Sequence, residues 1–142
     1  MKALQPKLNI ITLGVTDVAT STAFYNTVFG WEPTSDSNEN ITFYKLNGIL
    51  LSLYNKEKLA EDVQVPPVGS GFTGVTLAHV ANTEEEVDEI FAHMETHGVK
   101  ILKAPEKVFW GGYSGYILDL DGHHWEIAYN PFMNQDTEGN VL

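Results

Sequence analysis

The chain has 142 residues, a formal net charge of -11 and no cysteine. This length fits one compact domain, and the absence of cysteine excludes disulfides and thiolate chemistry and is typical of the cytoplasm. The chain has 19 acidic residues and 8 lysines. The excess of negative charge repels phosphate, which argues against nucleic acid as a partner. No apolar run approaches about 20 residues, so we expect neither a signal peptide nor a membrane span, and no membrane partner.

The first half of the chain alternates apolar, β-branched segments with one amphipathic segment. Asp17 is the predicted N-cap of the amphipathic helix, and Gly30 is its predicted C′ residue. The Asn47-Gly48 pair predicts a two-residue hairpin between the last two strands. The predicted elements are a strand over Leu8–Val15, a helix over Ala19–Phe29 and strands over Trp31–Ser37, Ile41–Leu46 and Ile49–Tyr54.

The second half repeats this pattern after a charged, proline-containing segment, Asn55–Ser70, which predicts a linker with one short helical turn. Thr83 and Glu86 have the T-x-x-E spacing of a capping box, and Asp121-Gly122 predicts a hairpin turn. The predicted elements are a strand over Gly74–Val80, a helix opened by Thr83 and closed by Gly98, a strand over Val99–Leu102, one strand formed by Lys107–Phe109 and Tyr113–Leu118 with a break at Gly111-Gly112, and a strand over His123–Tyr129.

The two halves therefore predict two copies of one β-α-β-β-β unit in a single domain of residues 1–142. The first module spans residues 8–54, and residues 55–73 form a linker. The second module spans residues 74–131, and residues 132–142 form a polar tail. A repeat of about 65 residues is too long for a solenoid, whose period lies between about 20 and 50 residues.

Specific motifs occur at the start of the first module and at the end of the second. The stretch Leu13–Val18, followed by Phe24-Tyr25 and Phe29-Gly30-Trp31, resembles the opening of a glyoxalase module, and Gly115–Ile127 resembles its closing hairpin. The chain thus resembles the glyoxalase / bleomycin-resistance / extradiol-dioxygenase (vicinal oxygen chelate) superfamily. The resemblance implies an α+β fold in which two βαβββ modules form a curved, barrel-like mixed sheet with a central cup. It also implies a homodimer.

The resemblance implies four metal-ligand positions in the cup, which fall at Ile10, near Ser52, near Gly74 and at Glu126. Only Glu126 carries a good donor, because Ile10 and Gly74 have none and a neutral Ser52 is a poor ligand. A shift of one residue at any position supplies no better donor. We therefore predict no bound metal cofactor; a transition metal such as Zn, Ni or Fe is the disfavoured alternative.

Strand alternation predicts which side chains line the cup. With Glu126 facing the cup, His124 faces it too, while Trp125 and Ile127 face the helix side or a partner. Glu126 is either a general base or an ion-paired or hydrogen-bonded remnant of the metal site. The predicted pocket residues are Thr12, Ser52, Tyr54, Thr76, Trp110, Tyr113, Tyr116, His124 and Glu126.

The remaining candidate residues have simpler interpretations. His123 and His124 point to opposite faces, and His79 points away from the cup. His93 and His97 suit the end of a helix better than a metal site. The Asp119–Gly122 segment has too few ligands for calcium and fits a hairpin turn. The aromatic, glycine-rich segment Trp110–Tyr116 either closes over a ligand or forms a packed bulge or dimer contact.

Two classes of function follow from these residues. The first is a metal-free, glyoxalase-like protein that binds a small molecule in the cup, as a drug-sequestering protein does. The alternative is an enzyme of the family (a lyase, isomerase or dioxygenase) that uses Glu126 as a general base or as the sole remnant of the metal ligands. The acidic surface serves solubility or attracts cationic ligands.

Overall fold

The computed structural model describes residues 4–69 and 71–142. The chain forms two compact units: unit 1 extends to Pro67 and includes Thr137–Asn140, and unit 2 comprises Val68–Asp136 with Val141–Leu142. Ser70, at the end of the predicted linker segment, lies outside the described residues. Within the described ranges, every helix is too short or too polar to cross a membrane.

Unit 1 contains a three-stranded mixed sheet and two α-helices. The central strand β3 runs parallel to β1 and antiparallel to β2, so the strand order is β1-β3-β2. The elements in chain order are β1 (Ile10–Val15), α1 (Val18–Phe24) with a π-helical turn (Tyr25–Phe29), β2 (Ile41–Lys45), β3 (Leu50–Asn55) and α2 (Lys56–Val63).

The first helix begins and ends where the sequence predicts. Asp17 has an extended backbone, its carbonyl accepts a hydrogen bond from the Ser21 amide (3.0 Å), and its carboxylate accepts one from the Thr20 hydroxyl. Gly30 closes the π-helical turn in the left-handed conformation, with φ of 72°. Since glycine adopts positive φ without a steric cost, the prediction of a helix ended by Gly30 is confirmed.

The strand predicted over Trp31–Ser37 does not form, and this part of the prediction is wrong. Pro33 lacks an amide hydrogen, so the segment cannot supply a continuous ladder. Isolated bonds join it to β2: the Thr34 amide donates to the Phe43 carbonyl (2.8 Å), the Phe43 amide donates to Ser37 Oγ (2.9 Å), and the Ser37 hydroxyl donates to the Phe43 carbonyl (3.4 Å). Within the described residues, the sheet of unit 1 therefore has three strands and not four.

The segment predicted as a linker contains a regular helix, α2. The Asn55 side chain caps it by accepting a hydrogen bond from the Lys58 amide (3.0 Å), and Gln64 ends it with φ of 62°. The helix is eight residues long, more than the single turn predicted. An asparagine followed by good helix formers is a signal for such a capped helix.

An aromatic cluster forms the core of unit 1 around Tyr25, which is 0% exposed. Leu13, Val15 and Leu53 are also buried, on the sheet face that packs on α1. The Tyr25 ring lies 4.8–5.9 Å, centroid to centroid, from the rings of Phe24, Phe29, Trp31 and Tyr44.

The buried phenol of Tyr44 predicts a loss of stability at alkaline pH. Its hydroxyl donates to the Thr22 carbonyl (3.2 Å) and lies 2.8 Å from the Asn26 amide group, and burial raises the pKa of Tyr44 from 10.0 to about 12. Because the neutral phenol is favoured in the folded state, its contribution is complete below pH 10 and is lost as the pH rises towards about 12. We expect urea unfolding curves to show this loss, and Tyr44→Phe to reduce it while costing about 1 kcal/mol at pH 8. Equal pH dependence in both proteins would contradict this assignment.

Unit 2 has the predicted β-α-β-β-β order, which is confirmed. Its four-stranded sheet has the order β4-β7-β6-β5, with β4 parallel to β7 and the other neighbours antiparallel. The elements are β4 (Leu77–Ala81), α3 (Glu84–Thr96), β5 (Lys100–Lys107), β6 (Tyr113–Leu118) and β7 (His124–Tyr129).

The residues from Lys107 to Leu118 form a hairpin, which corrects the prediction of one interrupted strand. Lys107 pairs with Tyr113 across the two antiparallel strands β5 and β6. The turn is closed by a bond from the Val108 amide to the Gly112 carbonyl (2.9 Å), and Gly111 has φ of 101°. The glycine pair reverses the chain completely, because glycine tolerates backbone angles that other residues avoid.

Helix α3 covers one face of this sheet. Thr83 Oγ1 accepts from the Glu86 amide (3.0 Å), and the Glu86 carboxylate accepts from the Asn82 amide (3.0 Å), one residue earlier than in a standard capping box. The predicted apolar stripe is buried at Val87, Phe91 and Met94, while Ile90 is half-buried. On the sheet, Ile117, Trp125 and Ile127 are buried on the side that α3 covers.

Candidate functional site

A row of four residues crosses the sheet of unit 2 on the side away from α3. Ala78 on β4 pairs with Glu126 on β7, Glu126 pairs with Tyr116 on β6, and Tyr116 pairs with Lys103 on β5. Directly opposite residues of neighbouring strands point to the same face of a sheet. We call this surface, with His124 two residues before Glu126, the Glu126 face. Trp125 and Ile127 are buried on the opposite face of the sheet, which agrees with the predicted alternation of side chains along β7.

Tyr116 and Glu126 interact directly on this face. Both side chains are half-buried. Burial raises the pKa of Tyr116, the negative charge of Glu126 adds to the rise, and Lys103 opposes it. The phenol and the carboxylate therefore lie near each other on neighbouring strands. Lys103 itself pairs with Glu106, with 3.0 Å between Nζ and Oε1.

An aromatic pair adjoins this polar row. His124 is half-buried, and the Phe72 ring meets it edge-on with 5.6 Å between the ring centroids. Phe72 is 66% exposed. Sequence reasoning missed Phe72, although a large aromatic residue between Gly71 and Gly74 is a usable signal. It also missed Lys103, because register shifts on both sides of Lys103 interrupt the alternation along β5.

Tyr113, one of the predicted pocket residues, lies on the opposite face of the sheet. Its hydroxyl donates to the Asp88 carboxylate of α3, and this bond raises the pKa of Tyr113 to about 12. Next to it, Lys107 Nζ lies 3.3 Å from Glu84 Oε1. Both contacts tie the β5–β6 hairpin to α3. We therefore leave Tyr113 out of the candidate site.

Trp110 and Thr76 lie outside the strands of the Glu126 face. Trp110 is in the hairpin loop, is 38% exposed, and its ring lies so close to Gly112 that an added Cβ would approach it to 2.0 Å. The Phe132 ring lies against Gly111, where an added Cβ would be 3.2 Å from the ring. The two glycines of this loop are thus each covered by an aromatic ring, while the roles predicted for the loop stay predictions. Thr76 is exposed and immediately precedes β4.

The three predicted pocket residues of unit 1 share one face of its sheet. Thr12 and Ser52 are partners in the register of β1 and β3, and their hydroxyl oxygens are 2.7 Å apart. Tyr54 follows on the same face as the partner of Gly14, where a Cβ would lie 3.2 Å from the Lys56 Cα of α2. One of the two hydroxyls therefore donates to the other, and α2 covers the end of the face beside Gly14.

The residues at the four metal-ligand positions do not fit a transition metal. Ile10 and Gly74 have no donor, Ser52 is bonded to Thr12, and Glu126 is the one carboxylate. Among residues 4–69 and 71–142, no three histidine, cysteine or acidic side chains gather in a way that could hold a metal ion. No chemical step is therefore assigned to a metal.

The other polar candidates have structural roles. His79 pairs with Ile127, away from the Glu126 face. Burial lowers the pKa of His79, and the negative charge of Glu86 acts in the opposite direction. His97 Nδ1 lies 3.0 Å from the His93 carbonyl at the end of α3. The Asp119 carboxylate accepts from the amides of residues 121 (2.9 Å) and 123 (2.8 Å), so it fixes the hairpin turn.

Known proteins resemble this chain over most of its length. A family model described as the Glyoxalase/Bleomycin resistance protein/Dioxygenase superfamily matches residues 7–127. A solved structure of a glyoxalase-related enzyme from Fulvimarina pelagi is 36% identical, covers 97% of this chain and 98% of that one, and superposes with a TM-score of 0.87.

Two further relatives carry the names of enzymes. Metallothiol transferase FosB from Staphylococcus haemolyticus is 28% identical over 122 residues, which cover 84% of this chain and 81% of that protein. The structure of lactoylglutathione lyase from Agrobacterium tumefaciens shares the fold at 23% identity, with a TM-score of 0.69 over 89% of this chain and 95% of that one.

Proposed function

Since the chain belongs to the Glyoxalase/Bleomycin resistance protein/Dioxygenase superfamily, we propose that it binds a small organic molecule on the Glu126 face without a transition metal. The observation that carries this proposal is the Tyr116–Glu126 pair, half-buried in the row that crosses the sheet of unit 2. A few polar groups on a partly apolar, partly buried surface are the usual recognition elements for small molecules.

The metal-free part of the proposal rests on the identity of the side chains. Metal-dependent members of the superfamily need several imidazole or carboxylate donors, and one carboxylate does not preform a transition-metal site. Tyr116 lies directly opposite Glu126 on the neighbouring strand. The carboxylate is thus the polar anchor that we propose for an organic ligand.

A second candidate function is catalysis by proton transfer. The enzyme names of the relatives from Staphylococcus haemolyticus and Agrobacterium tumefaciens favour this alternative. In this chain, Glu126 is the predicted general base, and the Tyr116 phenol on the neighbouring strand is a proton donor beside it. The alternative is thus an enzyme of the family, a lyase, isomerase or dioxygenase, in which Glu126 acts as the base.

A thermal-shift screen of metal ions, cationic aromatic compounds and 2-oxo acids tests the proposal. A ligand at ten times its Kd stabilises the protein by about 1.4 kcal/mol, or about 3–5 °C in Tm. We expect organic compounds to give such shifts in the presence of a chelator and Glu126→Gln to abolish them. Glu89→Gln, which removes the same charge from the exposed surface of α3, should leave them unchanged. Stabilisation that requires a metal ion would overturn the proposal.

We also propose a homodimeric, cytoplasmic protein, as the resemblance and the composition predict. Size-exclusion chromatography coupled to light scattering measures the mass of the protein in solution. We expect a mass twice that of one chain. A monomer at micromolar concentration would contradict it.

A further inference from the structure

A second face with polar groups lies on the sheet of unit 1, on the side away from α1. It carries Thr12 and Ser52, whose hydroxyl oxygens are 2.7 Å apart, and also Tyr54. We call this surface the Thr12 face. None of its side chains belongs to the Glu126 face, so the two faces can be tested separately.

The burial of Ser52 decides which of the two hydroxyls is the donor. Ser52 is 1% exposed, whereas Thr12 is half-buried. In the described part of the chain, the bond between them is the one hydrogen bond that either hydroxyl makes. If Thr12 donated, the buried hydrogen of Ser52 would be left without an acceptor, which is costly. Ser52 therefore donates to Thr12, and the hydrogen of the Thr12 hydroxyl is left for a group outside the protein.

Lys56, the first residue of α2, brings a positive charge to the same face. Gly14 follows Thr12 by two residues on β1, so a Cβ at Gly14 would point to the Thr12 face. Such a Cβ would lie 3.3 Å from Lys56 Cγ. The stem of Lys56 therefore lies over Gly14, about 7 Å along the strand from Thr12. Within residues 4–69 and 71–142, the Lys56 ammonium forms no ion pair.

The rest of the Thr12 face is largely apolar and carries no acid. Ile10, which precedes Thr12 by two residues, is 48% exposed, and Phe43, the partner of Ser52 on β2, is half-buried. In the described strands β1, β2 and β3, the one charged residue on this face is Lys45, a cation. The acidic residues behind the net charge of -11 lie elsewhere, and salt screens their charge beyond about 8 Å at physiological ionic strength.

We propose that the Thr12 face binds the carboxylate of an apolar organic acid. The Thr12 hydroxyl and the Lys56 ammonium are both donors, and an ionised carboxylate has only acceptors to offer them. Thr12 donates to a carboxylate oxygen, Lys56 supplies the opposite charge, and the apolar part of the ligand lies over Ile10 and Phe43. This site goes beyond the proposed function, because it lies in unit 1 and takes an anion.

Three probes with the same phenyl ring test the ligand class: phenylacetate, the neutral phenylacetamide and the cationic 2-phenylethylamine. Backbone amide shifts in ¹H–¹⁵N NMR spectra report binding and also show that each variant is folded. We expect phenylacetate to shift residues of β1, β3 and the start of α2. It should bind at least about tenfold more tightly than the other two probes, because hydrogen bonds to charged groups carry that difference.

The variants separate the two donors. Thr12→Val should weaken phenylacetate binding by about tenfold, whereas Thr12→Ser and Ser52→Ala, which both keep a hydroxyl at residue 12, should bind like the wild type. Lys56→Gln should weaken binding by about threefold, as expected for an exposed charge pair. Lys58→Gln removes the same charge from a different side of α2 and is the matched control, with no expected effect.

Equal binding of phenylacetate and phenylacetamide would overturn the inference, because the site would then not recognise the charge. The absence of shifts in β1 and β3 at millimolar phenylacetate would overturn it as well. Phenylacetate shifts confined to β6 and β7 and lost in Glu126→Gln would overturn it too, while the proposed function would stand. Conversely, if phenylacetate binds through Thr12 but no organic compound depends on Glu126, this inference stands and the proposed function fails.

Discussion

Gly115→Val is expected to lower the free energy of unfolding of unit 2 by about 3 kcal/mol or more. A Cβ at this position would lie 2.5 Å from the Lys103 carbonyl oxygen, 2.6 Å from Phe91 Cζ and 2.9 Å from the Pro105 nitrogen. Two of these three atoms belong to the backbone of β5, which cannot rotate away as a side chain does. The substitution therefore pushes β5 and α3 away from β6.

Urea unfolding followed by circular dichroism measures this effect. Ala104→Val is the matched control, because it places the same β-branched side chain at an exposed position of the same sheet. We expect its stability to change by no more than about 0.5 kcal/mol. Wild-type stability of Gly115→Val would show that β5 does not approach β6 as closely as the structure has it.

Tyr25→Ala is expected to cost about 3–5 kcal/mol, the usual cost of removing a large buried aromatic ring. Tyr25 is fully buried, and four aromatic rings surround it within 5.9 Å between centroids. The cavity left by its ring would be lined by Phe29, Trp31 and Tyr44. Because these rings come from the end of the first helix, the loop after it and β2, their collapse into the cavity is restricted.

The matched control for this deletion is Phe109→Ala. Phe109 is 102% exposed in the hairpin loop, so the same loss of a ring should change stability by no more than about 0.5 kcal/mol. Thermal and urea unfolding give both values. If the two variants lose similar amounts of stability, the aromatic cluster is not the core of unit 1.

The local signals in the sequence predict most of the fold. Gly30, Asn47-Gly48 and Asp121-Gly122 mark real chain reversals, because each depends on the backbone freedom of a single glycine. The family resemblance read from Leu13–Val18 and Gly115–Ile127 is confirmed by the match over residues 7–127. The predicted α+β fold is confirmed with it by the similar solved structures.

The errors concern pairing between strands, which local patterns do not encode. Trp31–Ser37 has a β-like composition, but Pro33 and a polar turn leave only scattered bonds to β2. The residues Lys107–Leu118 contain two apolar runs, and only the pairing of Lys107 with Tyr113 shows that they are opposite arms of a hairpin. The length of helix α2 was underestimated, because the charged composition of its segment also fits a linker.

The candidate site was predicted where alternation holds and missed where it breaks. In β7, alternation correctly places Glu126 and His124 on one face and Trp125 and Ile127 on the other. The prediction placed both Tyr113 and Tyr116 in the pocket, although they are three residues apart in one strand and therefore point to opposite faces. Lys103 could not be assigned, since register shifts interrupt β5 on both sides of it.

The superfamily membership and the function therefore rest on different residues. The motifs that identify the family build the sheets and turns, whereas three of its metal positions are occupied here by Ile10, Ser52 and Gly74. What remains is a carboxylate opposite a phenol, and we therefore propose that the site binds by hydrogen bonding and without a metal.

The metal content of the purified protein tests this account most directly. The protein should be prepared without an affinity tag and without chelators, and its transition metals measured by inductively coupled plasma mass spectrometry. We predict zinc, nickel, iron and manganese far below one ion per chain, with organic ligands still binding through Glu126. One ion per chain that is lost in Glu126→Gln would contradict the account and would place a metal centre on the Glu126 face.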